Sequence, residues 1–322
     1  MRELTIGKND AGQRLDKFLS KALDLPQALL YKSVRLKKIK VNRKRAEIGQ
    51  KLCEGDTVQC FLKDEFFRDE TDSAIDYKNI TAELDVVYED ENVLLINKRP
   101  GLSVHEDEHS KNQNLITEII AYLYNKGEYD PKNEQSFTPA LCNRIDRNTG
   151  GIVIAAKTAE ALRVMNEKIK SRELDKFYLA AVHGVPEKKE DTLRAFLLKD
   201  EKTNSVKIFK KNPPRGAKSI ITKYRVIAKN ENNSLLEVEL LTGRTHQIRA
   251  HLASEGYPLL GDGKYGINKA DRELGFKYQA LYSYRLRFNF DTEKEQTALD
   301  YLNGREFKIK RDEIYFTKLF FK

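Results

Sequence analysis

The chain has 322 residues, with 58 Lys and Arg against 49 Asp and Glu, a net charge of +9 and 40% hydrophobic residues. That length fits one large domain plus a small one, and the apolar content suffices for a proper core. No apolar run approaches the ~20 residues of a membrane span. The start, Met1-Arg2-Glu3-Leu4-Thr5, has no apolar signal core, and three cysteines (Cys53, Cys60, Cys142) in no metal-type pair point to reduced thiols. A cytoplasmic protein is therefore expected; the oligomeric state is unmarked, and a monomer is the default.

The charge is uneven. Residues 1–63 hold 15 of the Lys and Arg but only 7 of the Asp and Glu, a local +8. A basic footprint of this kind points to nucleic acid or an anionic surface. Leu15, Phe18, Leu19 and Ala22 share one face of a first helix. Pro26 opens a second, whose apolar side is Leu29, Leu30 and Val34. Lys32 and Arg35 share a face of it, which Lys38 extends if the helix continues. Ile39-Lys40-Val41 alternates like a strand, Asn42-Arg43-Lys44-Arg45 is a basic turn, and Gly55-Asp56 turns into a strand from Thr57 to Phe61. Two short helices, a basic turn and short strands resemble the S4 RNA-binding domain. That resemblance implies a small RNA-binding module over 1–63, with Lys32, Arg35, Lys38, Arg43, Lys44 and Arg45 meeting phosphates. A merely solvated basic surface is the other reading.

Residues 64–80 are acidic and polar around Phe66-Phe67 and read as a linker. From 81 to 322 the signals are mostly strands: Asp85 to Tyr88, Val93 to Asn97, Gly151 to Ala156, Tyr178 to Val182 and Leu235 to Leu241. Helical patterns fall between them, at about Leu115 to Tyr124, Ala159 to Ile169 and His246 to Ser254. Strands with interspersed helices predict an α+β domain over 81–322. His105 and His109 have helical metal-ligand spacing, but Gly101 and the polar surroundings make a loop, so no metal is expected. The basic stretch from Lys202 to Lys218 fits an RNA-grasping loop or a solvated hairpin. The end reads as a strand, Phe307 to Lys310, then an aromatic edge.

The most informative window is Arg144-Ile145-Asp146-Arg147-Asn148-Thr149-Gly150-Gly151, a polar bend feeding the apolar run Ile152 to Ala156. Flanking cations keep a carboxylate ionised, and a positioned carboxylate among cations suits a nucleophile acting on a polyanion. An Asp in a surface turn, paired with Arg, is the bland alternative. The window resembles the catalytic motif of the RluA family of RNA pseudouridine synthases. Four further segments match that family in order: Asn97 to His105, Lys176 to Gly184, Leu241 to Leu252, and Gly261-Asp262-Gly263-Lys264-Tyr265-Gly266.

The resemblance implies a largely antiparallel mixed-sheet pseudouridine synthase domain with a small N-terminal S4-type module. It implies isomerisation of uridine to pseudouridine in RNA, most often 23S ribosomal RNA, with transfer RNA as an alternative. No cofactor is implied, and the sequence carries no P-loop or dinucleotide fingerprint. Asp146 maps onto the essential aspartate, acting on the sugar or on a sugar proton. Arg249 maps onto the arginine that pairs with it, and Tyr178 onto the tyrosine that stacks on the uracil. Arg144 would fill the space left by a flipped base. Arg147 would contact a phosphate or brace the loop, while Arg244 and His246 fall in a further RNA-contacting motif. Asn143, Asn148, Gly150, Glu106 and Gln279 depart from the usual residues (His, Asp, Ser, Pro and His). Two rival readings are a non-catalytic S4-type RNA-binding ribosome-assembly factor and a glycoside hydrolase-like enzyme. The latter needs a second positioned acid, and no motif supplies one.

Overall fold

A computed structural model describes all residues except 68–74, 107–112, 267, 294–295 and 322. His109 therefore lies outside the described residues. The N-terminal unit comprises β1 (Arg2–Thr5), α1 (Leu15–Ala22), α2 (Gln27–Arg35), β2 (Ile39–Val41), β3 (Lys44–Arg45) and β4 (Thr57–Cys60), with its strands ordered β1-β4-β2-β3. Leu15, Phe18 and Leu19 of α1 and Leu30 and Val34 of α2 close on Ile39 and Val58 as a small core. Helix α2 stops at Arg35, because Lys37 takes a left-handed φ of 61°. Lys38 thus sits in a turn rather than on the helix face of Lys32 and Arg35. Packing also continues past position 63: Phe67 is buried in the same core and bridges to Leu23.

The rest of the chain builds one large mixed sheet. Its elements are β5 (Val86–Glu89), β6 (Val93–Lys98), α3 (Leu115–Asn125), β7 (Ala140–Leu141), β8 (Gly150–Ala156), α4 (Ala159–Lys170), β9 (Leu174–His183), β10 (Glu190–Asp200), β11 (Ser205–Phe209), β12 (Lys218–Lys229), β13 (Asn233–Leu240), α5 (Gln247–Ser254), α6 (Asn268–Glu273), β14 (Leu281–Phe288) and β15 (Glu306–Lys308). Spatial order is β11-β10-β12-β13-β9-β14-β8-β6-β5, with β15 beside β14 and β7 beside β8. Among the described strands the β8–β14 pairing is the parallel one. The helical patterns correspond to α3, α4 and α5. Thr158 caps α4 by accepting from Ala161 N at 3.1 Å, and Ala161 and Met165 point inward at helical spacing. Strands β10, β12 and β14 were not among the expected ones.

β8 is buried along its whole length, so its two faces feed separate cores. Ile152 and Ile154 pack with Leu179, Tyr284 and Phe288. Val153 and Ala155 pack with Leu94, Ile96, Tyr178 and Ile248. The second core underlies the candidate site. The N-terminal unit touches the large sheet's domain through Asn9 Nδ2 to Glu134 Oε1 (2.7 Å), Gln13 Nε2 to Ser136 Oγ (2.8 Å) and Arg163 Nη1 to the Ala11 carbonyl (3.3 Å). Among the described residues no helix is long and apolar enough to cross a membrane, and no group of three His, Cys, Asp or Glu side chains could hold a metal ion.

Candidate active site

Asp146 stands in the turn between β7 and β8, closed by Thr149 N donating to the Asp146 carbonyl at 3.0 Å. The turn is braced from behind by Lys98, which is only 1% exposed. Its Nζ donates to the carbonyls of Arg99 (3.0 Å), Leu102 (2.9 Å) and Arg147 (2.9 Å). Three acceptors match the three protons of an ammonium. Burial pushes the Lys98 pKa down to about 7, with Asp146 pulling it back up. Gly101 N donates to the Arg147 carbonyl at 2.9 Å, and Arg147 Nε donates to the Gly101 carbonyl at 3.1 Å. Arg147 thereby ties two loops together.

The departures from the family pattern have local partners. Asn143 Oδ1 accepts from Ile154 N at 2.7 Å. Gln279, buried, donates to Thr149 Oγ1 at 3.2 Å. A Cβ at Gly150 would fall 2.4 Å from the Tyr282 ring, so glycine there accompanies this tyrosine. Gly151 has φ 113°, and a Cβ would lie 2.2 Å from the Ser283 carbonyl oxygen. The close approach of β8 to β14 tolerates no side chain at that position.

Arg249 reaches Asp146 from α5. The first turn of that helix is anchored by Gln247, whose Oε1 accepts from Arg244 N (3.1 Å) and Thr242 Oγ1 (3.0 Å), while its Nε2 donates to the Ile221 carbonyl (3.1 Å) and Thr222 Oγ1 (3.0 Å). His246, just before the helix, takes a left-handed φ of 53°, a conformation uncommon for residues other than glycine. Arg249 Nη1 donates to Asp146 Oδ2 at 2.8 Å. Its Nε and Nη2 grip Asp262 Oδ2 and Oδ1 at 2.7 and 2.9 Å. The guanidinium is thus shared between the half-exposed Asp146 and the fully buried Asp262. Burial opposes its charge, but the two carboxylates outweigh that and raise its pKa. Burial likewise opposes ionisation of Asp262, yet Arg249 and the amides of Lys264 and Tyr265 hold it below the ordinary carboxylate value. A bidentate, charge-assisted arrangement of this kind fixes a guanidinium in one orientation.

Tyr178 lies in β9, the middle of the nine strands on the main path, opposite Val238 and Ser283. It shares the apolar core of Ile145 and Ile248, which neighbour Asp146 and Arg249 in sequence. Burial pushes its phenol up to about 12, so it is neutral over the ordinary range. Arg144 and Arg147 are exposed on either side of Asp146, and Arg244 is exposed at the start of the α5 segment. His246 Nε2 is 3.9 Å from Asp146 Oδ2. Asp146, Arg249, Tyr178, His246, Arg144 and Arg147 are thus brought to one region of the molecule. Lys32, Arg35, Lys38, Arg43, Lys44 and Arg45 are all exposed on the N-terminal unit.

The chain that carries this site is similar to known proteins. The family model described as RNA pseudouridylate synthase matches residues 92–254. The chain belongs to that family. The synthase isomerises uridine to pseudouridine in RNA. It is 32% identical over 298 residues to a ribosomal large subunit pseudouridine synthase C of Haemophilus ducreyi, covering 91% of this chain and 89% of that one. It is 31% identical over 296 residues to a protein of the same name from Vibrio parahaemolyticus, covering 90% and 89%. Among solved structures, Human RNA Pseudouridylate Synthase Domain Containing 1 superposes with a TM-score of 0.54 at 21% identity, over 73% of the synthase and 94% of the human chain. That likeness shows the fold, an α+β architecture on a large mixed sheet.

Sequence reasoning missed Asp262, Lys98 and Tyr265 as parts of this site. Asp262 stands between Gly261 and Gly263, and an acid between two glycines looks like an ordinary turn. Lys98 did carry a signal. Strand alternation puts it on the face of Leu94 and Ile96, which is an inward position for a lysine.

Proposed function

We propose that the synthase acts on large-subunit ribosomal RNA and that Asp146 is its catalytic carboxylate. The observation that carries the second part is the Asp262–Arg249–Asp146 chain. A guanidinium locked by a buried carboxylate gives Asp146 a fixed cationic partner and aims it, as attack on a ribose or removal of its proton requires. The target class rests on the names of the bacterial relatives. Tyr178 supplies a neutral ring for the uracil to stack against, and its hydroxyl is available for proton transfer at C5. Arg144 occupies the gap left by the flipped nucleotide, at a position where an exposed guanidinium plane can stack on neighbouring bases. No resident group is needed for the reaction, because breaking the N1 bond and rejoining through C5 is redox-neutral.

The N-terminal unit, in this reading, is an S4-type module that adds affinity through phosphate contacts from Lys32, Arg35, Lys38, Arg43, Lys44 and Arg45. Arg244 and the exposed lysines of the β11 arm extend the basic surface around the site. The test is a transcript-wide pseudouridine map in cells lacking the gene, complemented with wild type or Asp146→Ala. Sites restored by wild type alone identify the target and support Asp146. Restoration by Asp146→Ala overturns its catalytic role. Tyr178→Phe separates stacking from proton transfer, since it keeps the ring and loses the hydroxyl. Retained RNA binding with lost turnover supports the proton-transfer role.

A further inference from the structure

Two hydrogen bonds run from the end strand of the sheet to His246, whose ring faces Asp146, and the reaction described above makes no use of them. Strands β10 and β11 form an arm, and β11 is the last strand of the main sheet path. Val206 N, on β11, donates to Tyr265 Oη at 3.0 Å. Tyr265 Oη lies 2.9 Å from His246 Nδ1. His246 Nε2, on the far side of the same ring, is 3.9 Å from Asp146 Oδ2. The tip of the arm is tied to the same loop, since Lys264 Nζ donates to the carbonyls of Thr203 and Asn204 at 3.2 and 2.8 Å. The backbone amides of Lys264 and Tyr265 donate in turn to Asp262 Oδ1, at 2.9 and 3.2 Å. Tyr265 therefore stands between the arm, the carboxylate that braces Arg249, and the imidazole beside Asp146. Its ring also meets the His246 ring edge-on at 5.7 Å and lies under the Arg249 guanidinium at 5.3 Å.

The arrangement of these groups favours one tautomer. Tyr265 Oη accepts the Val206 amide, so its own proton is free to go to His246 Nδ1. A ring nitrogen that accepts carries no proton, and the single proton of a neutral imidazole then sits on Nε2. The opposite assignment would turn a bare Nε2 lone pair towards the Asp146 carboxylate. Burial lowers the pKa of His246, against the pull of Asp146, which favours the neutral ring. An approach of roughly 1 Å would bring Nε2–H into hydrogen-bond range of the carboxylate.

We propose that Tyr265 is a positioning residue that couples the β10–β11 arm to the catalytic carboxylate: with the arm seated, Tyr265 holds His246 as the Nε2–H tautomer facing Asp146. This rests on the reading of Asp146 given above. Displacing the arm withdraws the Val206 amide, frees the Tyr265 hydroxyl to reorient and releases the imidazole to both tautomers. Seating of the arm, whose exposed face carries Lys207, Lys210 and Lys211, is thereby linked to the state of the group next to the reacting carboxylate.

The test uses the full-length protein labelled with nitrogen-15 at histidine, as wild type, Tyr265→Phe and Val206→Pro. The second variant deletes the amide donor and keeps the tyrosine. Nitrogen shifts report the His246 tautomer in the free protein. Tritium release reports the single-turnover rate, on bulk 5-tritiated-uridine RNA from cells lacking the gene, and filter binding reports affinity for the same RNA. The expected result has three parts: an Nε2–H tautomer in the wild type, a tautomer mixture in both variants, and a rate lowered by at least about fivefold, the equivalent of one net hydrogen bond. Affinity should stay within about twofold, as expected for a group that does not touch the RNA. An unchanged tautomer, an unchanged rate, or a loss confined to affinity overturns the coupling. Asp146→Asn is run alongside. If it turns over normally, the reading of the carboxylate fails, whereas the tautomer shifts still decide whether the relay exists.

Discussion

Asp262→Asn probes the site's architecture without touching the reacting carboxylate. Asp262 is fully buried and accepts four hydrogen bonds, from Arg249 Nε and Nη2 and from the amides of Lys264 and Tyr265. Asparagine has the same shape but only one accepting oxygen. With that oxygen at the Oδ1 position, Arg249 Nη2 and both amides remain satisfied. The new NH2 then faces Arg249 Nε–H, donor against donor, and the buried guanidinium keeps a single anionic partner. Breaking a buried ion pair on one side costs about 3–5 kcal/mol, and the surviving bond to Asp146 places this case near 3 kcal/mol. Thermal unfolding should then fall by roughly 6 °C, at about 2 °C per kcal/mol for a chain of this size. If the same energy is lost from the orientation of Arg249 against Asp146, the single-turnover rate drops about 150-fold.

The pH dependence supplies an independent check. Asp262 is held below its ordinary value of 3.8 in the folded protein. The stability it contributes is present above that value and is lost as pH falls through the lower folded one. The variant should lack that part of the wild type's acid sensitivity. Calorimetry across the acid range, with tritium release for turnover, measures both quantities. A variant with wild-type melting and wild-type rate would refute the bracing role of Asp262.

Further outcomes follow from the same geometry. Lys98→Met keeps the apolar stem but leaves three carbonyls without their donor. At about 1–3 kcal/mol for each unsatisfied buried group, the unfolding midpoint in urea should drop clearly, and turnover with it as the Asp146 turn loosens. Gly151→Ala drives a Cβ into the Ser283 backbone and imposes a left-handed φ, so it should cost at least ~2 kcal/mol, whereas Gly55→Ala, with nothing within 4 Å, should cost only its backbone strain. Comparative denaturation of the two separates crowding from φ. Neutralising Lys32, Arg35, Arg43, Lys44 and Arg45 together should weaken RNA binding and flatten its salt dependence, by roughly 0.7 in log–log slope per lost single-strand phosphate contact. An unchanged slope in filter binding would remove the N-terminal unit from the RNA interface.

Much of this protein is written locally. The apolar spacing of Leu15, Phe18 and Leu19, the run from Ile152 to Ala156 and the turn residues around Asp146 each report their own backbone state, because helix and strand periods are local properties. The excess charge of residues 1–63 is equally a property of composition. Among the strands that went unread, β10 and β12 carry several charges, as in Glu190-Asp191-Thr192-Leu193-Arg194, because parts of their faces meet solvent or pair across strands, as Arg225 does with Glu237. The close parallel approach at Gly151 depends on contacts between residues more than a hundred positions apart. So does the site. Asp146 and Arg249 could be named from their motifs. That Arg249 divides its guanidinium between Asp146 and a wholly buried Asp262, and that Lys98 lies under the turn, was decided only when the chain packed. A charged group's burial is set by the partners that tertiary structure brings to it, and its neighbours in sequence carry no record of them.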